Sequence, residues 1–168
     1  MSIESTLLLV FPALMAFAAV MDLFTMTIPN RISILLVASF LVVAPLTGLG
    51  WEPFMWHLLT GSAVLALGIL LFALGLVGGG DAKLLAAASL WLGFEHLGEY
   101  IVVVAVMGGL LSIVLLIYRA AVLPRWILSQ PWAMRLHNKK EGIPYGLALA
   151  GAALWVFPTT AWYNAVLM

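Results

Sequence analysis

Residues 57–83 read HLLTGSAVLALGILLFALGLVGGGDAK. From His57 to Val77 there is no Lys, Arg, Asp or Glu, and about 20 mainly apolar residues suffice for one α-helix to cross a bilayer. The run ends abruptly at Gly78-Gly79-Gly80-Asp81, with Lys83 two positions further on. An apolar helix of spanning length that meets glycines and a carboxylate at its end sets the fold class: an all-α, polytopic membrane helix bundle.

Working outward from that run, five further segments satisfy the same requirement or approach it. The six expected spans are Thr6–Leu23, Arg31–Gly48, His57–Val77, Ala82–Phe94, Gly98–Arg119 and Ile143–Leu167. Ala82–Phe94 is too short to cross alone and must tilt or lean on a neighbour. No Lys or Arg precedes the first span, so it lacks the basic start of a cleaved signal peptide and reads as a retained helix. Residues 1–168 form one membrane-embedded domain on this reading.

Composition agrees with the segment count. Hydrophobic residues make up 65% of the chain and charged residues 8%, against about 25% charged in ordinary soluble domains. Seven Lys/Arg balance seven Asp/Glu, which leaves no basic surplus for nucleic acid, and no nucleic-acid partner is expected. The chain has no cysteine, which excludes disulfides, thiolate nucleophiles and cysteine-ligated metals.

The distribution of the charges orients the bundle. Arg31 follows the first span, Lys83 the third, and Arg119, Arg125, Arg135, Lys139 and Lys140 the fifth, while the intervening connections carry Glu52, Glu95 and His96. Lys and Arg concentrate in cytoplasmic loops, so these three loops are expected in the cytoplasm and both termini outside it. The loop 120–142 adds Trp126 and Trp132 to its basic residues and reads as a segment lying at the headgroups, with membrane lipid as its partner.

Two carboxylates stand out in this setting. Asp22 closes the first span and Asp81 opens the fourth, and the topology brings both to one membrane surface. Each taken alone has an ordinary reading, a charge at a helix end that caps the helix or meets Arg31 or Lys83. Together they admit another: two adjacent carboxylates share a proton, so one activates water while the other, protonated, polarises a carbonyl. Gly78, Gly79 and Gly80 suit that site by allowing close backbone approach and positive φ, or simply form the turn after a helix.

These residues resemble the type IV prepilin peptidases, the Gly-x-Gly-Asp aspartyl peptidases of membranes. The resemblance lies in Met21-Asp22-Leu23, Ile28-Pro29-Asn30-Arg31, Gly78-Gly79-Gly80-Asp81-Ala82-Lys83-Leu84-Leu85 and Ile143-Pro144-Tyr145-Gly146, in that order along the chain. It implies that Asp22 and Asp81 are the catalytic pair. It also implies that the substrates are prepilins or pseudopilin precursors, cut after a short basic leader at the cytoplasmic face of a bacterial inner membrane. No cofactor or metal is expected. Larger members carry an added cytoplasmic region associated with N-methylation; nothing in this sequence corresponds to it, and the size is similar to the short peptidases of tight-adherence, or Flp-type, pilus systems.

The remaining site-shaping candidates have two readings each. Lys83 anchors on anionic lipid or acts on Asp81. Pro29 and Asn30 start the second span or touch substrate. Pro144, Tyr145 and Gly146 enter the last helix or complete the site. Glu95, His96 and Glu99 gather on the far side without the His-Glu-x-x-His spacing of zinc peptidases, and His57 and His137 are expected at interfaces. Two rival functions remain in view. Presenilin-type proteases share Gly-x-Gly-Asp, but the Pro-Ala-Leu of this chain, Pro12-Ala13-Leu14, precedes both aspartates. A proton-coupled small transporter, or a membrane assembly subunit of a secretion system, would also use intramembrane carboxylates, near the bilayer midplane.

Overall fold

The computed structural model describes residues 3–167, without the side chains of residues 3–5, 125, 128, 165 and 167. The expectations for Met1 and Met168 lie outside the described residues. All regular structure among the described residues is helical: α1 (Ile3–Leu8), α2 (Val10–Thr25), α3 (Asn30–Leu46), α4 (Trp51–Ala73), α5 (Gly79–Ala120), α6 (Arg125–Leu128), α7 (Pro131–His137), α8 (Tyr145–Val156) with a 3-10 turn at Phe157–Thr159, and α9 (Ala161–Leu167). By length and apolar content three helical stretches can cross a membrane, Thr6–Thr25, Trp51–Ala73 and Gly79–Ala120, and the apolar helices Asn30–Leu46 and Tyr145–Thr159 are shorter. The protein is an all-α membrane helix bundle.

Helix α5 contains the fourth and fifth expected spans in a single run, and the connection expected at Glu95–Leu97 is helical instead. The break falls at Gly93 (φ 76°, ψ 175°), a conformation closed to residues with a Cβ. Contacts show that the chain reverses there. A methyl group on Gly80 would lie 3.3 Å from Ile28, and one on Gly146 would lie 2.8 Å from the same residue. Arg119, at the other end of α5, donates to the Gly142 carbonyl at 2.7 Å, just before Gly146. Both ends of α5 therefore meet at the Ile28 end of the bundle, and residues 79–92 and 94–120 run antiparallel. At 1.5 Å per residue the first half reaches only about 20 Å, short of the roughly 30 Å hydrocarbon core.

His57 caps this break. A helix interrupted at Gly93 leaves carbonyls of its last turn without intrahelical donors, and His57 Nδ1 lies 2.7 Å from Leu90 O. A carbonyl only accepts, so Nδ1 carries the proton. The ring stacks on Phe40 (centroids 5.5 Å apart) and meets Trp162 edge-on. His57 thus belongs, half-buried, to an aromatic layer at this end of the bundle.

That layer is the core of the far end. Trp91 stacks on Phe11 at 5.1 Å and on Trp162 at 5.3 Å, and its indole N–H donates to Leu36 O at 2.8 Å. Close approach of small residues joins α4 to the first half of α5. Methyl groups on Gly61 and Gly68 would lie 2.9 Å from Leu90 and 3.0 Å from Ala82, the small-residue packing that membrane helices use in place of a hydrophobic driving force.

Candidate active site

Asp22 occupies the last turn of α2. The helix ends at Met26, whose φ of 55° is left-handed and whose N–H donates to Asp22 O at 2.8 Å. This turn directs Thr27 and Ile28 back across the end of the bundle, and the Thr25 hydroxyl reinforces it by donating to Met21 O at 2.6 Å. Asp22 itself is 5% exposed. Its Oδ2 accepts the Gly146 N–H at 2.7 Å.

The donor comes from the start of α8, where the first N–H groups have no intrahelical acceptor. Gly146 is the second residue of that helix, so both a free donor and the positive end of the helix dipole face the carboxylate. Only glycine permits the approach. A methyl group at this position would lie 2.8 Å from Asp22 Oδ2, 2.8 Å from Ile28 Cδ1 and 3.0 Å from Asp22 Cβ.

Asp81 is the third residue of α5, half-buried, in a first turn that favours negative charge. Its carboxylate folds back over Gly78, where a methyl group would lie 2.8 Å from Asp81 Oδ2. Ile28 is wedged between Gly80 and Gly146, so one side chain separates the segment carrying Asp81 from the pair Asp22–Gly146. Both carboxylates therefore lie at the Ile28 end of the bundle.

The other expected site residues fall around this pair in distinct ways. Lys83 donates to Asn30 Oδ1 at 2.9 Å and makes no ion pair with Asp81 among the described residues. Pro29 is the N-cap of α3, in extended conformation, and Pro144 is the N-cap of α8. Tyr145 lies against the backbone of Gly108, where a methyl group would sit 2.7 Å from its ring. Gly79 packs on Phe72 at 3.2 Å by the same measure. None of Gly78, Gly79 and Gly80 has positive φ; among the described residues Gly48, Gly75 and Gly93 do. The glycine run serves close approach, and the left-handed turn after α4 falls to Gly75, where the N–H groups of Gly75 and Leu76 reach back to Phe72 O and Leu71 O.

Beside this end, an apolar groove of about 790 Å³ opens between α3 and α4, with Asn30, Lys83 and Gly79 at one end and Val37, Leu65 and Leu90 among its walls. The far-side polar residues line a separate hollow of about 880 Å³ that includes Glu52, His57, Glu95 and His96. His96 Nδ1 lies 3.6 Å from Glu99 Oε2. Among the described residues no three His, Cys, Asp or Glu side chains converge on a metal position.

Sequence reasoning missed Arg119 and Arg135. Arg135 donates to Phe24 O at 3.0 Å, two residues beyond Asp22, and Arg119 holds the chain leading into α8. A basic residue beyond an apolar helix is the sole sequence signal for either, and it reads as an interfacial charge.

Comparison with known protein families matches the chain to the type IV leader peptidase family over residues 9–117, more than half of its length. The chain belongs to that family. No curated protein and no solved structure matches it. Family membership implies aspartic peptidase activity toward leader peptides. Asp22 and the Gly78–Asp81 turn lie inside the matched stretch, whereas Gly146, the residue that touches Asp22, lies beyond it.

Proposed function

We propose that this leader peptidase removes the leader from Flp-type or related prepilins at the cytoplasmic face of the bacterial inner membrane. On this reading residues 1–168 act as one membrane-embedded unit, Asp22 and Asp81 are the catalytic pair, and the product is not N-methylated. The observation that supports it is the placement of two carboxylates at one end of the bundle, Asp22 on the Gly146 N–H and Asp81 in the first turn of α5, with Ile28 between their supports. A proton relay across the membrane would instead favour carboxylates near mid-helix.

In the reaction, one carboxylate takes a proton from water as the water oxygen attacks the scissile carbonyl carbon. The other, protonated, donates to the carbonyl oxygen, and collapse of the tetrahedral intermediate expels the new amine with the proton taken from water. The described Lys and Arg residues support the orientation: Arg31, Lys83, Arg119, Arg135, Lys139 and Lys140 all belong to the end that holds Asp22 and Asp81.

The test is co-expression with candidate pilin precursors and mass spectrometry of their N-termini. The wild-type protein should yield a shortened pilin with a free, unmethylated amine. Asp22→Asn and Asp81→Asn should each lower cleavage by about 10²-fold or more at normal protein levels, since an acid and a base acting as one unit fail together. Chelators should leave cleavage unchanged. Near wild-type processing by either Asn variant would exclude the two-carboxylate mechanism, and a methylated product that depends on this protein would add an activity to it.

A further inference from the structure

We propose that Arg119 is a positioning residue for Asp22, acting through the segment that leads into α8. The inference rests on the reading of Asp22 as a catalytic carboxylate, but its geometry stands on its own. Arg119 is in the last turn of α5. Its Nε donates to Leu136 O at 2.8 Å, and one terminal nitrogen donates to Glu141 O at 3.1 Å and Gly142 O at 2.7 Å. No carboxylate pairs with it among the described residues. The guanidinium is directed entirely at backbone, a task that suits its rigid, forked set of donors and that a lysine ammonium performs poorly.

From Gly142 the chain has little freedom before it reaches Asp22. Pro144 fixes its own φ, the Tyr145 N–H donates to Ile143 O at 2.8 Å, and the Tyr145 ring is seated on Gly108, itself in the second half of α5. Gly146 follows, with its N–H on Asp22 Oδ2. One helix, α5, thus sets the start of α8 at two points, Arg119 and Gly108, and α8 sets the carboxylate. The same connection is tied down on its other side. Tyr118 Oη donates to Ala133 O at 3.2 Å, His137 Nδ1 lies 3.1 Å from Tyr118 O, and Arg135 reaches from α7 to Phe24 O. Residues 131–142, part of the loop 120–142 expected to rest on lipid headgroups, and the entry to α8 are hydrogen-bonded across the end that holds Asp22.

The experiment reads the Gly146–Asp22 contact directly and cleavage separately. In the full-length, [15N]glycine-labelled protein in micelles, the Gly146 amide resonance is identified as the one displaced most by Asp22→Asn. Arg119→Ala should displace the same resonance, Arg119→Lys should do so as well despite keeping the charge, and kcat should fall about 10- to 100-fold with KM changed less than about twofold. A general loss of stability would reduce the folded fraction and leave the Gly146 amide of the folded protein where it was. That result, or wild-type kcat in either variant, overturns the proposal. If Arg119→Ala does not fold, Arg119→Lys carries the same test. A wild-type protein that cleaves no precursor would count against the reading of Asp22, while an undisplaced Gly146 amide would count against Arg119, so the two failures are distinct.

Discussion

At the scale of single residues, the site depends on contacts that exclude a methyl group. Gly146 and Gly109 illustrate the difference. Both are helical glycines, but a methyl on Gly109 meets nothing within 4 Å, whereas one on Gly146 meets Asp22 and Ile28 at 2.8 Å. Replacing glycine by alanine in a helix stabilises it by roughly 0.5–1 kcal/mol when space is free. Gly109→Ala should therefore keep full cleavage and resist denaturation slightly better than the wild type. Gly146→Ala should lose cleavage by about 10²-fold, because the carboxylate must move off its donor. Purified variants assayed for precursor cleavage and thermal midpoint would separate the two; equal activity would mean that the Asp22–Gly146 contact is dispensable. Asp81 shows a looser version of the same packing, since its carboxylate covers Gly78 from within its own turn.

At the scale of elements, the reversal inside α5 is the feature on which the site depends. Without the break at Gly93, Asp81 and Arg119 would lie at opposite ends of a helix about 60 Å long. Gly93→Ala combines a positive φ of 76° with a methyl group 2.9 Å from the His57 ring. A positive φ combined with a ψ of 175° alone costs roughly 1–3 kcal/mol for a residue with a Cβ. This variant should unfold at lower denaturant or temperature, and its cleavage should fall with the loss of folded protein. His57→Ala should destabilise by about 1–3 kcal/mol, since Leu90 O loses its partner. Unfolding curves in mild detergent measure both; a Gly93→Ala protein as stable as the wild type would mean that the helix tolerates another geometry there.

For the whole molecule, the two ends differ in chemistry. One holds Asp22, Asp81 and the described Lys and Arg side chains, and the other an aromatic layer with Glu52, Glu95 and His96. Lys and Arg in short loops favour the cytoplasm, so a reporter fused after Met168 should behave as periplasmic and one inserted near Lys139 as cytoplasmic. The reverse result would place the two carboxylates outside the cell membrane's inner face and remove the proposed access to uncut precursors.

Much of this was legible in the residues themselves. Apolar runs of spanning length, interrupted by Asp22, by Gly78–Asp81 and by a basic loop, determined an all-α membrane bundle, because a charge cannot be left at mid-bilayer without cost while an apolar helix can lie there freely. The short fourth segment was visible for the same reason, through its length. What lay beyond the sequence were relations between distant residues. Nothing local to Gly93 marks it as a reversal, since a glycine in an apolar run is ordinary; only the packing of both halves of α5 against α4 and α8 decides its φ. Nothing local to Gly146 or Arg119 shows that one donates to Asp22 and the other holds the approach to it. Hydropathy depends on each residue's own transfer energy, whereas these contacts depend on which helix ends meet, and that is settled only when the bundle is packed.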